Sequence, residues 1–135
     1  MANPEHVAAL HADLDEWNSW RAENPDLHPD LSGVSLHGVD LVLADLSHAR
    51  MQKANLSLTN LKGADLRGAD LRDVNFVGAR LIGADFTGAD LRGADLRTAE
   101  DLTSEQLEQT VGDETTRLPE DISRPRRWMT MLGAR

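Results

Sequence analysis

A five-residue period constrains this chain more than any other feature of its sequence. The period runs from residue 29 to residue 98 without an insertion and divides that stretch into fourteen units. The residue two before each centre is alanine in nine units, the residue just before it is Asp or Asn in eleven, and the residue two after it is glycine in eight. Every centre is a large apolar residue: Leu31, Leu36, Leu41, Leu46, Met51, Leu56, Leu61, Leu66, Leu71, Phe76, Leu81, Phe86, Leu91 and Leu96.

A period of five matches neither regular secondary structure. A buried helical face repeats about every 3.6 residues and a strand face every second residue. The leucines would therefore wind around a helix or alternate between the faces of a strand. The spacing fits a coil in which each unit is one short side and glycine at the corner permits the turn. The sequence thus predicts an all-β solenoid with the small and large residues inside.

The units at 64–68 and 89–93 both read Ala-Asp-Leu-Arg-Gly. They match the pattern A(D/N)LXX, and the chain resembles the pentapeptide-repeat family over residues 29–98. The resemblance implies a right-handed quadrilateral β-helix with four units in each coil, hence about 3.5 coils. It also implies a core in which the centres of successive coils stack on one another. The core residues that we single out are Leu46, Leu66, Phe86, Leu71, Phe76 and Leu91.

The segment before the repeats is expected to cover the open apolar end of the solenoid. Residues 1–28 are predicted to form an N-terminal capping helix and a linker. Asn3 is a suitable N-cap, Pro4 suits the first helical position, and Pro25 ends the helix. The apolar side chains in between follow helical spacing: Val7, Leu10, Leu14, Trp17 and Trp20. The alternative is a helix that binds a partner.

The segment after the repeats, residues 99–135, breaks the period. Thr103 and Gln106 fit a capping box, which predicts a short C-terminal helix that uses Leu107 and Val111 and ends at Gly112. An irregular tail follows. Its basic residues either stay solvated or contact an anionic partner: Arg124, Arg126 and Arg127. Its apolar residues either fold back on the core or form a homodimer contact: Trp128, Met129, Met131 and Leu132.

The sequence contains no arrangement of side chains typical of an enzyme. Most aspartates fall at the outward position before a centre, whereas paired carboxylates need a pocket with unlike environments to act as acid and base. Asp45, Asp65 and Asp85 would stack about 4.8 Å apart, either as a solvated ladder relieved by Arg67 or as a cation site. No histidine pair has zinc-ligand spacing with a third ligand nearby. We expect no catalytic residues and no cofactor.

One side of the coil carries apolar residues at outward positions. Val42, Lys62 and Ile82 follow the centres on that side, and Leu43 lies close by. Clustered exposed apolar residues can mark a partner site, whereas single ones are normal. The candidate interaction surface comprises Val42, Leu43, Lys62, Ile82, Trp128 and Met131.

Charge and composition narrow the function further. The net charge of −9 argues against direct binding to nucleic acid. No apolar run approaches the roughly 20 residues that span a bilayer, and the N-terminus lacks signal-peptide features. The family resemblance implies a bacterial, cytoplasmic protein, and we expect a non-catalytic module for protein interaction or scaffolding, with an unknown protein partner.

The alternative is a DNA mimic that modulates a type II topoisomerase such as gyrase, as the resemblance implies for some family members. Mimicry needs a dense negative surface. Residues 29–98 contain nine acids and eight bases, while residues 1–28 contain six acids and one base. Residues 99–135 contain eight acids and five bases. The acidic excess therefore lies in the flanks, which favours the interaction module.

Overall fold

The structure is a computed structural model that describes residues 2–128. Helices lie outside the repeats: α1, Pro4–Ala12; α2, Leu14–Glu23; and α3, Ser104–Leu107. Residues 126–128 are also helical. Between α2 and α3 the backbone pairs through isolated parallel β-bridges, each one residue long. The regular part of the molecule is thus built from very short sides joined by turns.

The β-bridges give the period of the coil. Asp45 pairs with Asp65, and Asp65 pairs with Asp85, so four units complete one turn. Two hydrogen bonds flank such a bridge: the Leu46 N–H donates to the Asp65 carbonyl at 2.8 Å, and the Asp65 N–H donates to the Ala44 carbonyl at 2.9 Å. A turn bond closes the corner, where the Ala49 N–H donates to the Leu46 carbonyl at 3.2 Å.

We name the four sides of the coil faces A to D. Face A comprises residues 29–33, 49–53, 69–73 and 89–93. Face B comprises residues 34–38, 54–58, 74–78 and 94–98. Face C comprises residues 39–43, 59–63 and 79–83. Face D comprises residues 44–48, 64–68 and 84–88.

The fourteen centres fill the inside of the coil. None of them is more than 1% exposed, including Leu46, Leu66, Leu71 and Leu91. The two central phenylalanines, Phe76 and Phe86, are equally buried and meet edge to face with ring centroids 6.0 Å apart. Burying a leucine side chain contributes roughly 1.5–3 kcal/mol. Stacked apolar side chains therefore stabilise the coil and leave no room inside it for a ligand.

The Asp and Asn residues before the centres have a local structural role. In all eleven units that contain one, its side-chain oxygen accepts the backbone N–H two residues later. The Asn55 side chain, for example, accepts the Ser57 N–H at 3.0 Å. This Asx-type bond holds the chain at the start of each corner, which explains why the repeat selects these two residue types.

Two corner glycines make room for leucines of the preceding coil. Gly63 and Gly78 both have positive φ angles, near 65° and 71°. A Cβ at Gly63 would lie 2.7 Å from the Leu43 side chain, and one at Gly78 would lie 2.6 Å from that of Leu58. Glycine is thus required at both positions for two reasons: the positive φ angle and the close approach of the leucine side chain.

The N-terminal segment forms two helices where the sequence predicts one. Asp13 is extended, with φ −166° and ψ 120°, and separates α1 from α2. Its carboxylate accepts the backbone N–H groups of Asp15 at 2.8 Å and Glu16 at 3.1 Å. Because Asp13 is a good N-cap, it starts a new helix and lets the chain bend.

Helix α2 docks on face D through buried side chains. Trp17 is 1% exposed, and its indole N–H donates to the Asp45 carbonyl at 2.8 Å. Arg21 is 2% exposed and donates to the Leu27 carbonyl at 2.7 Å and to the Ser47 carbonyl. The bonds to Asp45 and Ser47 supply partners for carbonyls of the first coil, which has no preceding coil to bind them.

The C-terminal segment continues the coil beyond residue 98. Glu100 bridges to Arg80 on face C, and Val111 and Arg117 bridge to Asp90 and Asp95 on faces A and B. The predicted capping box of Thr103 is present, but α3 ends at Leu107, and Val111 belongs to the β-pairing instead of the helix. Val111 therefore pairs with the backbone of Asp90 in the last complete coil and does not extend the helix.

Candidate interaction surface

Four outward carboxylates form ion pairs with arginines of the same unit. The Arg67 guanidinium donates to both oxygens of Asp65 at 2.8 and 2.6 Å, and that of Arg97 donates to both oxygens of Asp95 at 3.0 and 2.8 Å. The same pairing joins Arg72 to Asp70 and Arg92 to Asp90. Each arginine lies two residues after its aspartate, so the repeat itself places the pair.

These pairs favour the charged forms of both groups. The hydrogen bonds from Arg97 lower the pKa of Asp95 below its usual value, although partial burial acts in the opposite sense. Burial is the largest influence on Asp65 and raises its pKa, but the combined bonds from Arg67 lower it further, so the net shift is downward. Carboxyls with lowered pKa values are poor proton donors and acceptors near neutral pH.

The three stacked aspartates of face D each have a partner. Ser47 Oγ donates to Asp45 and Thr87 Oγ1 donates to Asp85, both at 2.6 Å, while Asp65 binds Arg67. Among residues 2–128, no three His, Asp or Glu side chains are grouped so that they could hold a metal ion. The ladder is therefore a set of locally satisfied carboxylates.

A depression on the described surface has a volume of about 650 Å³ and is wide open to solvent. It lies along face A and its corner with face B. Its lining is polar and charged: Ser32, Gly33, Gln52, Lys53, Arg72 and Asp73. A ligand pocket normally encloses most of its ligand within a largely apolar lining, so this shallow depression lacks the form of an active site.

Face C carries the apolar patch that the sequence indicates. The Leu43 side chain is 66% exposed and that of Ile82 is 49% exposed, while Val42 is partly buried and Lys62 is exposed. Leu43 lies at the edge of the face because its backbone turns the corner there. We call Val42, Leu43, Lys62 and Ile82 the face C patch.

Sequence reasoning missed one exposed apolar residue beside this patch. Leu58 is 59% exposed and lies at the corner between faces B and C. It has a positive φ of 57°, like Leu43 with 61°. A leucine in the position where most units have glycine was the available signal, since that position points its side chain outward.

The candidate interaction surface also includes two tail residues, Trp128 and Met131. Trp128 is 0% exposed, so its ring is not on the surface and is not available to a dimer contact. The ring packs on Gly112, where a Cβ would collide with it, and its indole N–H donates to Thr110 Oγ1 at 3.2 Å. Met131 lies outside the described residues.

The tail arginines also have partners on the protein. Arg124 donates to the Thr116 carbonyl at 2.6 Å, and Arg127 donates to the Glu108 carbonyl at 3.2 Å and to the Thr110 carbonyl. They thus cover main-chain carbonyls at the end of the coil.

Among residues 2–128, no helix has the length and apolar character needed to cross a bilayer.

Comparison with known proteins identifies relatives of the repeats. The family model for pentapeptide repeats matches residues 30–63 and 59–98. The crystal structure of the pentapeptide repeat protein Rfr23 from the cyanobacterium Cyanothece 51142 is 34% identical, with a TM-score of 0.60. The match covers 67% of this chain and 61% of that protein, so the chain spans less than two thirds of its relative. No curated protein sequence matches the chain.

Two further solved structures are similar at lower TM-scores. A pentapeptide repeat protein from Nostoc PCC 7120 is 33% identical over 71% of this chain and 70% of its own, with a TM-score of 0.23. HetL, a pentapeptide repeat protein involved in heterocyst differentiation regulation in the same strain, is 25% identical. That match covers 71% of this chain and 56% of HetL, with a TM-score of 0.30.

Proposed function

Because this chain belongs to the pentapeptide-repeat family, we propose that it is a non-catalytic module that binds a protein partner through the outside of its solenoid. The winding is proposed to be right-handed, as the family fold implies, and the site of action to be the bacterial cytoplasm. The face C patch is the proposed contact.

The observation that carries this proposal is the exposure of two large aliphatic side chains, Leu43 and Ile82, on face C. Large exposed aliphatic side chains lose contact with water when a partner covers them, which favours binding. The patch lies on a frame whose centres are at most 1% exposed. A rigid frame loses little conformational freedom on binding, so less of the contact energy is offset.

Several features support a module without catalysis. The interior is filled by apolar side chains, and most of the outward carboxylates are paired with arginine, serine or threonine of the same unit, as Asp65, Asp45 and Asp85 are. Such groups lack both the pocket and the unlike environments that acid–base chemistry needs. The surface instead offers a fixed pattern of side chains to a partner.

The same pairing weighs against the topoisomerase alternative. A DNA mimic must present uncompensated negative charge at regular intervals. On this solenoid an arginine covers the carboxylate of Asp65, Asp70, Asp90 and Asp95. We therefore favour a partner that recognises an apolar patch over a partner that recognises negative charge.

Photo-crosslinking in cells of the source organism tests the proposal. A benzophenone amino acid at Lys62, on face C, is compared with one at Thr87, which holds the same place in its unit on face D. We expect a discrete crosslinked protein from position 62 alone. Its affinity, measured with purified components by calorimetry, should fall at least tenfold for Ile82→Lys and stay unchanged for Thr87→Lys. Equal crosslinking from both positions, or equal affinities of both variants, would contradict a contact at face C.

A further inference from the structure

The first coil has backbone groups on four faces that no preceding coil can bind. On face A, the Asp30 N–H donates to His6 Nδ1 at 3.1 Å, and the Asp30 carbonyl accepts the Asn3 N–H at 2.9 Å. On face D, the Asp45 N–H donates to the side chain of Asn18 at 2.8 Å. Helices α1 and α2 thus satisfy the edge on two faces.

The other two faces of the first coil keep an unpaired edge. On face B, the Ser35 bridge uses the Val34 carbonyl and the Leu36 N–H, which leaves the N–H and carbonyl of Ser35 pointing away from the second coil. Asp40 is in the same position on face C. Within residues 2–128, the backbone N–H and carbonyl groups of Ser35 and Asp40 have no hydrogen-bond partner.

The apolar layer beneath this edge is also less covered on faces B and C. The small residues that precede the centres of the first coil are buried on faces A and D, where they are Pro29 and Ala44. Their equivalents on faces B and C, Val34 and Val39, are only partly buried. The end of the solenoid is therefore half covered, and the open half combines unpaired backbone groups with accessible valines.

An edge of this kind can accept an added strand. Unpaired N–H and C=O groups in a row form a template for another extended chain, and natural proteins usually cover or charge such edges. In peptide recognition by strand addition, main-chain hydrogen bonds supply the affinity and side-chain contacts supply the selectivity. The charge around the edge of Ser35 and Asp40 therefore decides which segment fits.

The surroundings of the edge are acidic. Residues 1–28 contain six acids and one base, Arg21, which is 2% exposed and bound to main-chain carbonyls. Exposed carboxylates of this segment lie near the covered half of the end: Asp13, Asp15, Glu16, Glu23 and Asp26. Asp40 adds an exposed carboxylate on the open half. Lys62, one coil below Asp40, is the single base on face C in the first two coils.

From this geometry we infer a second binding site at the N-terminal end of the solenoid, which adjoins the face C patch at Val42. A basic segment of a partner protein follows the open edge around the corner from face B to face C and pairs with the backbone of Ser35 and Asp40 on the two sides. It covers Val34 and Val39 with its apolar side chains and directs its basic side chains toward the acidic N-terminal end. A second copy of this chain is disfavoured as the occupant because two acidic ends would repel each other.

Fluorescence anisotropy with the full-length protein tests this site. The probes are fluorescein-labelled ten-residue peptides: one alternates lysine and valine, one alternates glutamate and valine, and one alternates lysine and glycine. We expect the lysine–valine peptide to bind at least tenfold more tightly than either of the others. Equal binding of the lysine–glycine peptide would show charge attraction without strand addition and would overturn the inference.

Two variants locate the binding. Val39→Lys places a charge at the open edge and should weaken binding of the lysine–valine peptide at least tenfold. Val77→Lys makes the same change on the outside of face B in the third coil and should leave binding unchanged. Circular dichroism checks that both variants keep the wild-type spectrum. Equal effects of the two variants would place the peptide elsewhere.

Amide hydrogen exchange by NMR gives a readout that needs no substitution. The Ser35 and Asp40 amides should exchange rapidly in the free protein and at least tenfold more slowly with the lysine–valine peptide. The paired amides of Asn55 and Asn60 serve as internal references. Slow exchange at Ser35 and Asp40 without peptide, lost on dilution together with a dimer in light scattering, would instead assign the edge to a second copy.

Discussion

The two ends of this solenoid meet the same physical demand in different ways. At the C-terminal end the main chain itself continues the ladder on faces A, B and C, through Val111, Arg117 and Glu100. Helix α3 covers face D, where the Gln106 side chain donates to the Ala84 carbonyl at 3.0 Å. At the N-terminal end, side chains of α1 and α2 together with the Asn3 N–H satisfy faces A and D alone. The C-terminal cap, built mainly from main chain, covers every face, whereas the N-terminal cap, built mainly from side chains, covers the faces within reach.

A substitution in the middle of the solenoid should cause the largest loss of stability. Leu66→Asp places a charge among stacked apolar side chains, and we expect it to abolish cooperative unfolding because a buried unpaired charge costs more than a small domain can tolerate. Thermal unfolding followed by circular dichroism measures this. Leu58→Asp is the matched control, since Leu58 is 59% exposed and should tolerate the change. A native melting curve for Leu66→Asp would contradict the buried core.

The two buried tryptophans distinguish the ends directly. Trp17→Ala and Trp128→Ala should each cost about 3–5 kcal/mol, as for other large-to-small core changes. We expect their effects to lie in different places. Hydrogen-exchange mass spectrometry should show faster exchange within residues 2–48 for Trp17→Ala and within residues 86–128 for Trp128→Ala. Loss of protection across the whole chain in either variant would show that the ends are coupled more tightly than this comparison implies.

Arg21 tests whether side chains alone hold the N-terminal cap in place. Arg21→Met keeps much of the buried volume but removes donors to the Ser47 and Leu27 carbonyls. Leaving such groups unpaired should destabilise the protein by about 1–3 kcal/mol. Urea denaturation measures this, with Arg50→Met, an exposed arginine on face A, as the control. Equal midpoints for the two variants would argue that Trp17 and the other contacts suffice.

Acid should weaken the repeat region slightly. Bonds from arginine lower the pKa values of Asp70 and Asp95, so their contribution to stability is present above the ordinary aspartate pKa of 3.8 and is lost as the pH falls below it. The urea midpoint should therefore decrease slightly from pH 6 to pH 3. Because the pairs are largely exposed, the effect is small, and it should shrink further in an Arg72→Gln, Arg97→Gln double variant.

The middle of the molecule is also the part that sequence predicts best. The pentapeptide-repeat resemblance is confirmed by the family match over residues 30–98. The period alone assigns centres to the inside, because each unit meets the same environment one coil later, as Leu46 and Leu66 do. It also indicates outward exposure at Leu43 and Ile82. It does not reveal the pairing of Asp65 with Arg67, since that bond depends on the conformation of the corner.

The flanks were harder to predict because nothing in them repeats. The helical spacing of Val7, Leu10, Leu14 and Trp17 continues through Asp13, yet Asp13 caps a second helix. Val111 fits a helical pattern, yet the unpaired edge of Asp90 recruits it to the ladder. The sequence left open whether Trp128 folds back on the core or forms a dimer contact, and it fills the space above Gly112. At Val111 and Trp128 a distant partner decides the structure, whereas at Asp13 a local cap interrupts the helical spacing.

By itself, the five-residue period determined that the repeats form a coil with small and large apolar residues inside and a turn after each unit, and the family resemblance implied four sides to each coil. The tertiary structure alone decided how each end is covered, which left faces B and C of the first coil open at Ser35 and Asp40. The physical reason is how regularly the residues in contact are spaced along the chain. The repeat depends on contacts between identical units a fixed distance apart in the chain, whereas a cap depends on where unrelated side chains happen to reach.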